Sequence, residues 1–194
     1  MDQHLISLAR AVKRRRRARH PTLWLFSDER RQPDLLAAIA ALPRGISGVV
    51  FRHDGAPGRA ALARQVAALC RSRRITLVIA GDWRLAAALG AGVHLRGGVP
   101  PRARYRGAVN TASAHDCGQM IAARGVLASL VFLSPAFATA SHPGAGALGP
   151  VRWAALARRC RVPVLALGGV TGVVGRRFGE GCGGFGAIEA LSSE

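Results

Sequence analysis

Residues 22–31 read TLWLFSDERR: a strand-like run, Thr22–Phe26, that breaks on Ser27 into a charged turn without a glycine. That break separates two parallel folds. A doubly wound open sheet carries a glycine-rich phosphate loop directly after its first strand, and Ser27–Arg31 cannot serve as one. Working outward, further short apolar runs recur at Gly48–Phe51, Thr76–Ala80, Gly92–Leu95, Gly107–Thr111, Leu127–Leu133, Val162–Leu167 and Gly184–Ile188. Helical spacing fills the intervals at Asp34–Leu42, Arg59–Arg73, Trp83–Leu89, Asp116–Arg124 and Val151–Arg161. A parallel sheet covered by helices has this alternation in its sequence, because its strands are buried on both faces. Eight strand-bearing units in 194 residues predict an α/β fold, a single (β/α)8 TIM barrel with some short or trimmed outer helices. The segment after Leu95 is too short for a full helix.

With 49% hydrophobic and 5% aromatic residues, the chain has material for one substantial core. Lys+Arg of 28 against Asp+Glu of 10 gives a formal charge of +18, and Lys13 is the only lysine. Anionic partners fit such a balance without being specified by it. The apolar residues Leu5, Leu8, Ala9 and Val12 precede a basic run, Lys13–Arg17, an order opposite to that of a secretory signal. Residues 1–20 are therefore expected to be a basic N-terminal extension, its helix covering the N-terminal end of a barrel domain at 21–194. Cys70, Cys117, Cys160 and Cys182 are spaced for neither zinc nor a disulfide framework, so a cytoplasmic protein is expected. The uncharged stretch Gly125–Val151 contains Pro135 and Pro143 and reads as a strand and loop, not as a membrane span. The basic run has no interleaved aromatic residue, so no specific nucleic-acid partner is expected; any contact there would be independent of sequence.

In a barrel, polar residues at strand exits converge on one mouth. Three histidines at such exits, His94, His115 and His142, are the acid/base candidates, since imidazole titrates near neutrality. Gly168 and Gly169 follow the seventh strand, and Gly183, Gly184 and Gly186 surround the eighth. Turns there could point main-chain N–H groups at a phosphate. Thr139, Ser141 and His142 add donors from the preceding loop, and Arg52 and Ser113 complete the substrate-binding candidates.

Taken together, LSPAFATASHPGAGALGP (133–150), PVLALGGV (163–170), LAAALGAGVHL (85–95) and SAHD (113–116) resemble the thiamine phosphate synthase and TenI family, over roughly Leu23–Leu191. That resemblance implies a (β/α)8 barrel of thiamine biosynthesis. The family's synthases join hydroxymethylpyrimidine diphosphate to thiazole phosphate, expelling pyrophosphate with Mg²⁺; its TenI relatives include a metal-independent thiazole phosphate tautomerase. The family's Gln-x-Arg-x-Lys falls on Val50–Asp54, where only Arg52 matches. The Asn-Asp pair whose aspartate binds magnesium falls on Ala80 and Gly81, with Asp82 one position later; the second magnesium aspartate falls on Val99. His142 replaces the lysine after Thr-x-Thr, and Glu189 stands where a phosphate-side serine is found.

Still in register are Thr139, Ser141, the Gly168/Gly169 turn, the glycines of the last strand, His94 and His115, which belong to the thiazole phosphate half of the site. The resemblance thus implies a thiazole phosphate binder that acts by proton transfer at His115, beside Ser113, assisted by His142 or His94, with no cofactor. Alternatives are a divergent synthase, which would need Mg²⁺, and a non-catalytic phosphate-ligand or regulatory barrel. A homodimer is compatible with the resemblance.

Overall fold

The computed structural model describes residues 1–98, 109–125, 128–139 and 146–192. Its elements run α1 (Gln3–Arg15), β1 (Leu23–Phe26), α2 (Leu35–Ala41), β2 (Ser47–Phe51), α3 (Arg59–Arg73), β3 (Thr76–Ala80), α4 (Trp83–Leu89), β4 (Gly92–Leu95), β5 (Thr111–Ala114), α5 (Cys117–Gly125), β6 (Leu130–Leu133), α6 (Gly149–Ala157), β7 (Val164–Leu167), α7 (Gly172–Gly175) and β8 (Phe185–Ala187). Each strand pairs in parallel with the next, and β8 returns to β1 with Leu23 opposite Phe185, so the sheet closes into a barrel. The fold is the one expected from the alternation.

Two apolar layers follow from the two faces of the strands. Trp24, Phe26, Val50, Val78, Leu130, Phe132 and Leu165 fill the barrel interior. Trp24 reaches across because β2 offers Gly48, where a Cβ would lie 2.6 Å from the indole. Alternate residues such as Leu25, Val49, Ile79 and Val131 face the helices. β5 starts later than the Gly107–Thr111 expectation, of which Gly107 and Ala108 lie outside the described residues. Its inner position Thr111 is polar because it bonds His94 of β4 inside the barrel, which hides the strand from an apolar-run criterion.

α1 lies along the flank of the barrel instead of across its end. Its Asp2 N–H donates to the Ala190 carbonyl beyond β8 at 2.7 Å, while Arg15 and Arg16 reach the Glu180 carbonyl ahead of β8. After β8 the described chain forms only a 3₁₀ turn, Glu189–Leu191. The apolar stripe Leu5, Ile6, Ala9 and Val12 therefore covers the flank an eighth helix would take, and joins the main core. Among the described residues no helix is long and apolar enough to cross a membrane.

Candidate active site

A cavity of about 620 Å³ opens at the C-terminal ends of β6, β7 and β8. The β6–α6 loop forms one wall, laced to β7 by Ala136 N–H to the Leu167 carbonyl (2.8 Å) and Phe137 N–H to the Gly168 carbonyl (3.0 Å). This close approach explains the double glycine. Gly169 has φ +63°, and a Cβ there would lie 2.2 Å from the Ala138 carbonyl oxygen. Beyond that turn, the N–H groups of Gly169, Val170 and Thr171 have no partner among the described residues.

His115 borders the cavity from the end of β5. Its Nδ1 lies 2.9 Å from the Ser134 carbonyl and 3.3 Å from the Ser134 hydroxyl; the nearer of the two can only accept, which favours the tautomer with the proton on Nδ1 and the lone pair on Nε2. The backbone under it is fixed by a capping arrangement at the start of α5. Asp116 accepts from Gln119 N–H at 2.8 Å, and the Gln119 side chain accepts from His115 N–H at 2.9 Å.

Two carboxylates and two guanidinium groups also line the cavity. Asp2 accepts from Gly172 N–H (2.7 Å) and Leu5 N–H (2.9 Å). Burial works to raise its pKa, but the main-chain donors Gly172, Leu5 and His4 outweigh burial and hold it below the usual carboxylate value. Glu189 is 65% exposed and drawn to Arg31 at 3.5 Å, so its charge sits at the rim. Arg52 is anchored by Nε to the Ser27 carbonyl (3.0 Å), pairs with Asp28 at 3.6 Å and lies over the Phe26 ring.

The opposite side of the mouth, after β2, β3 and β4, is occupied by its own charges. Arg59 reaches Asp82 at 2.9 Å and Asp54 at 3.5 Å, and Arg96 also binds Asp54. The other Asp82 oxygen caps α4 through Leu85 N–H at 2.9 Å.

Comparison with known proteins fits this barrel. The profile of the family described as thiamine monophosphate synthase (TMP-TENI) matches residues 23–188. The chain belongs to this family. A thiamine-phosphate synthase of Geobacillus kaustophilus is 29% identical, the match covering 97% of this chain and 90% of that protein. A putative thiamine-phosphate synthase 2 of Aquifex aeolicus is 31% identical over 78% of this chain and 86% of its own length. A thiamine phosphate pyrophosphorylase structure from Pyrococcus furiosus superposes with a TM-score of 0.76 at 21% identity, covering 89% of this chain and 88% of that one, a likeness of fold.

The synthases of the TMP-TENI family imply a divalent cation, and the donor set here does not fit one. Hard cations need free oxygen ligands, whereas Asp54 and Asp82 are committed to guanidinium groups and a helix cap. Among the described residues no cluster of three or more acidic, histidine or cysteine side chains could hold a metal, and residues 99–108 contain no carboxylate.

Of the candidates read from the sequence, the cavity brings together His115, Arg52, Thr139, Gly168, Gly169 and Gly186. Ser141 and His142 lie outside the described residues. Ser113 turns to accept Gly97 N–H at 3.2 Å and does not line the cavity. His94 is 2% exposed within the barrel, where Nδ1 bonds the Thr111 hydroxyl at 2.8 Å and Phe26 packs edge-on against it. Burial, with Arg52 and Arg96 nearby, pushes its pKa down to about 3, which keeps it neutral. Gly184 sits at the other end of β8, where a Cβ would lie 2.4 Å from the Thr22 carbonyl. Asp2, Arg31 and the Ser134 carbonyl were not singled out in the sequence. Ser134 alone carried a signal, its place in the LSP motif.

A buried pair lies between the first two strands' loops. Ser27 Oγ accepts Arg52 N–H at 2.8 Å and lies 2.9 Å from His53 Nδ1. Burial lowers the His53 pKa, outweighing the nearby Glu29 and Asp28 charges that act to raise it. The pair holds Arg52 at the mouth.

Proposed function

We propose that this TMP-TENI family protein binds a thiazole phosphate in the β6–β8 cavity and moves a proton on the heterocycle, with no metal ion. The observation that carries this reading is the place of His115 on the cavity wall with its Nδ1 2.9 Å from the Ser134 carbonyl: a proton held there leaves Nε2, which has no partner among the described residues, to act as the base. A tautomerisation removes a proton at one atom and returns it at another, which one positioned imidazole can do. Once protonated, the ring keeps its bond to the Ser134 carbonyl, and Nε2–H becomes the acid for the return step.

The Gly169–Thr171 amides and the Arg31 and Arg52 guanidinium groups would hold the phosphate. Glu189, drawn to Arg31 at the rim, is compatible with an anion deeper in the cavity. Incubation with thiazole phosphate and hydroxymethylpyrimidine diphosphate in Mg²⁺ tests the reading. No pyrophosphate should be released, while the thiazole tautomers interconvert; pyrophosphate release abolished by a chelator would establish the synthase instead.

A further inference from the structure

We infer that the N-terminal end of the barrel, the end away from the cavity, is a binding surface for the phosphodiester backbone of nucleic acid. The charges of this chain are sorted along the barrel axis. Among the described acidic residues only Glu180 lies at the N-terminal end; the others sit in segments beside or beyond the strands' C-terminal ends. The ion pairs of the described residues are all formed at the mouth.

The loops at the other end carry arginines with no carboxylate of the described residues within ion-pair distance. Arg16, Arg17 and Arg19 come from the loop between α1 and β1, and Arg158 and Arg161 from the loop between α6 and β7. These two loops are brought together around β8. Two clefts of about 560 and 300 Å³ meet at Arg16, the first lined also by Arg158, Arg161 and Glu180, the second by Arg17, Arg19 and His20. Arg16 is steadied by the Glu180 and Gly181 carbonyls, at 3.0 and 3.3 Å, which orient the guanidinium without neutralising it. Burial chiefly, then the charges of Lys13 and Arg19, lowers the His20 pKa, in keeping with a positive local field.

Such a field attracts any polyanion, but other features narrow the choice. The charge is guanidinium, whose fork matches phosphate oxygens in pairs. The exposed large apolar side chains among the described residues, Ile121, Val151 and Val173, lie on α5, α6 and α7 and not in these loops, so this end offers nothing to insert into a bilayer. Trp153 and Phe178, which line the first cleft, are buried and give bases no platform, so the contact is to backbone and independent of base sequence.

Fluorescence anisotropy of a labelled mixed-sequence oligonucleotide, single-stranded and duplex, titrated across NaCl concentrations, tests this surface. Binding should weaken linearly in log–log form with a slope of about −2 to −4, corresponding to roughly three to five phosphates. The side chains of Arg17, Arg19 and Arg161 make no hydrogen bond among the described residues. Changing all three to Gln should cost at least about tenfold in affinity and flatten the slope by about 2. The same net change at Arg10, Arg30 and Arg64, exposed elsewhere, should cost much less. Equal losses in both triple variants would overturn the assignment, as would capture by anionic phospholipid vesicles without binding to the oligonucleotide. Phenylglyoxal labelling of the wild-type chain gives a check that needs no variant: bound oligonucleotide should protect Arg17, Arg19 and Arg161 and leave Arg10, Arg30 and Arg64 reactive, and the reverse pattern would refute it.

Discussion

The two sides of the barrel mouth are built from the same strand-and-turn units and end in opposite states. After β6, β7 and β8, glycines let the backbone close around a cavity in which the Gly169–Thr171 amides and the His115 Nε2 have no partner among the described residues. After β2, β3 and β4, the side chains have partnered one another: Arg59 joins Asp82 to Asp54, and Arg96 takes the rest of Asp54. One side has capacity left for a ligand, and the other has spent its charges internally. A carboxylate shows that it is available for a cation only when its neighbours are known, and here they are guanidinium groups.

The sharpest way to break the comparison is at His115. His115→Gln should reduce tautomer interconversion by about 10²- to 10⁴-fold, the range for loss of a general acid/base, with an unchanged unfolding temperature. An equal fall in stability would make the residue structural. Next comes the interior. The unfolded chain takes up a proton at His94 near pH 6.5 that the folded chain refuses until about pH 3. The stability contributed by the neutral ring is therefore complete above pH 6.5 and is lost as pH falls through that window, on the order of a few kcal/mol. Acid titration of urea midpoints should show this loss, with a shallower limb in His94→Asn.

A smaller effect is expected at the glycine turn. Gly169→Ala places a Cβ against the Ala138 carbonyl at positive φ, which should cost about 1–3 kcal/mol and weaken thiazole phosphate binding. Gly58→Ala, with positive φ and no atom within 4 Å, is the control for backbone strain alone. The smallest effect belongs to the paired side. Arg59→Gln frees two partly exposed carboxylates and loses the guanidinium's bond to the Ala80 carbonyl, so stability should fall by about 1 kcal/mol, and tautomerisation should be unchanged. If Mg²⁺ raises the unfolding temperature of Arg59→Gln and not of the wild type, guanidinium occupancy is what excludes the cation.

Much of the barrel was legible because parallel strands buried on both faces leave unbroken apolar runs such as Leu130–Leu133 and Val164–Leu167. β5 was misplaced by a few residues because Thr111 and Ser113 put polar groups on its inner side, a choice that makes sense only once His94 stands opposite. The α1 stripe was legible as an amphipathic helix, but its location was not, since its partners Gly172 and Ala190 lie far away in sequence. At the site, His115 and Gly169 announced themselves by local motif. The Asp2 contact to Gly172 and the Arg59 bridge join residues far apart in sequence and have no local signature.

Proton NMR of thiazole phosphate incubated with the protein in D₂O, with chelator present and no pyrimidine diphosphate, tests the central claim most directly. Deuterium should enter the exchanging carbon at a rate indifferent to the chelator and strongly reduced in His115→Gln. An inert ring under these conditions, coupled only when Mg²⁺ and the diphosphate are supplied, would contradict the account.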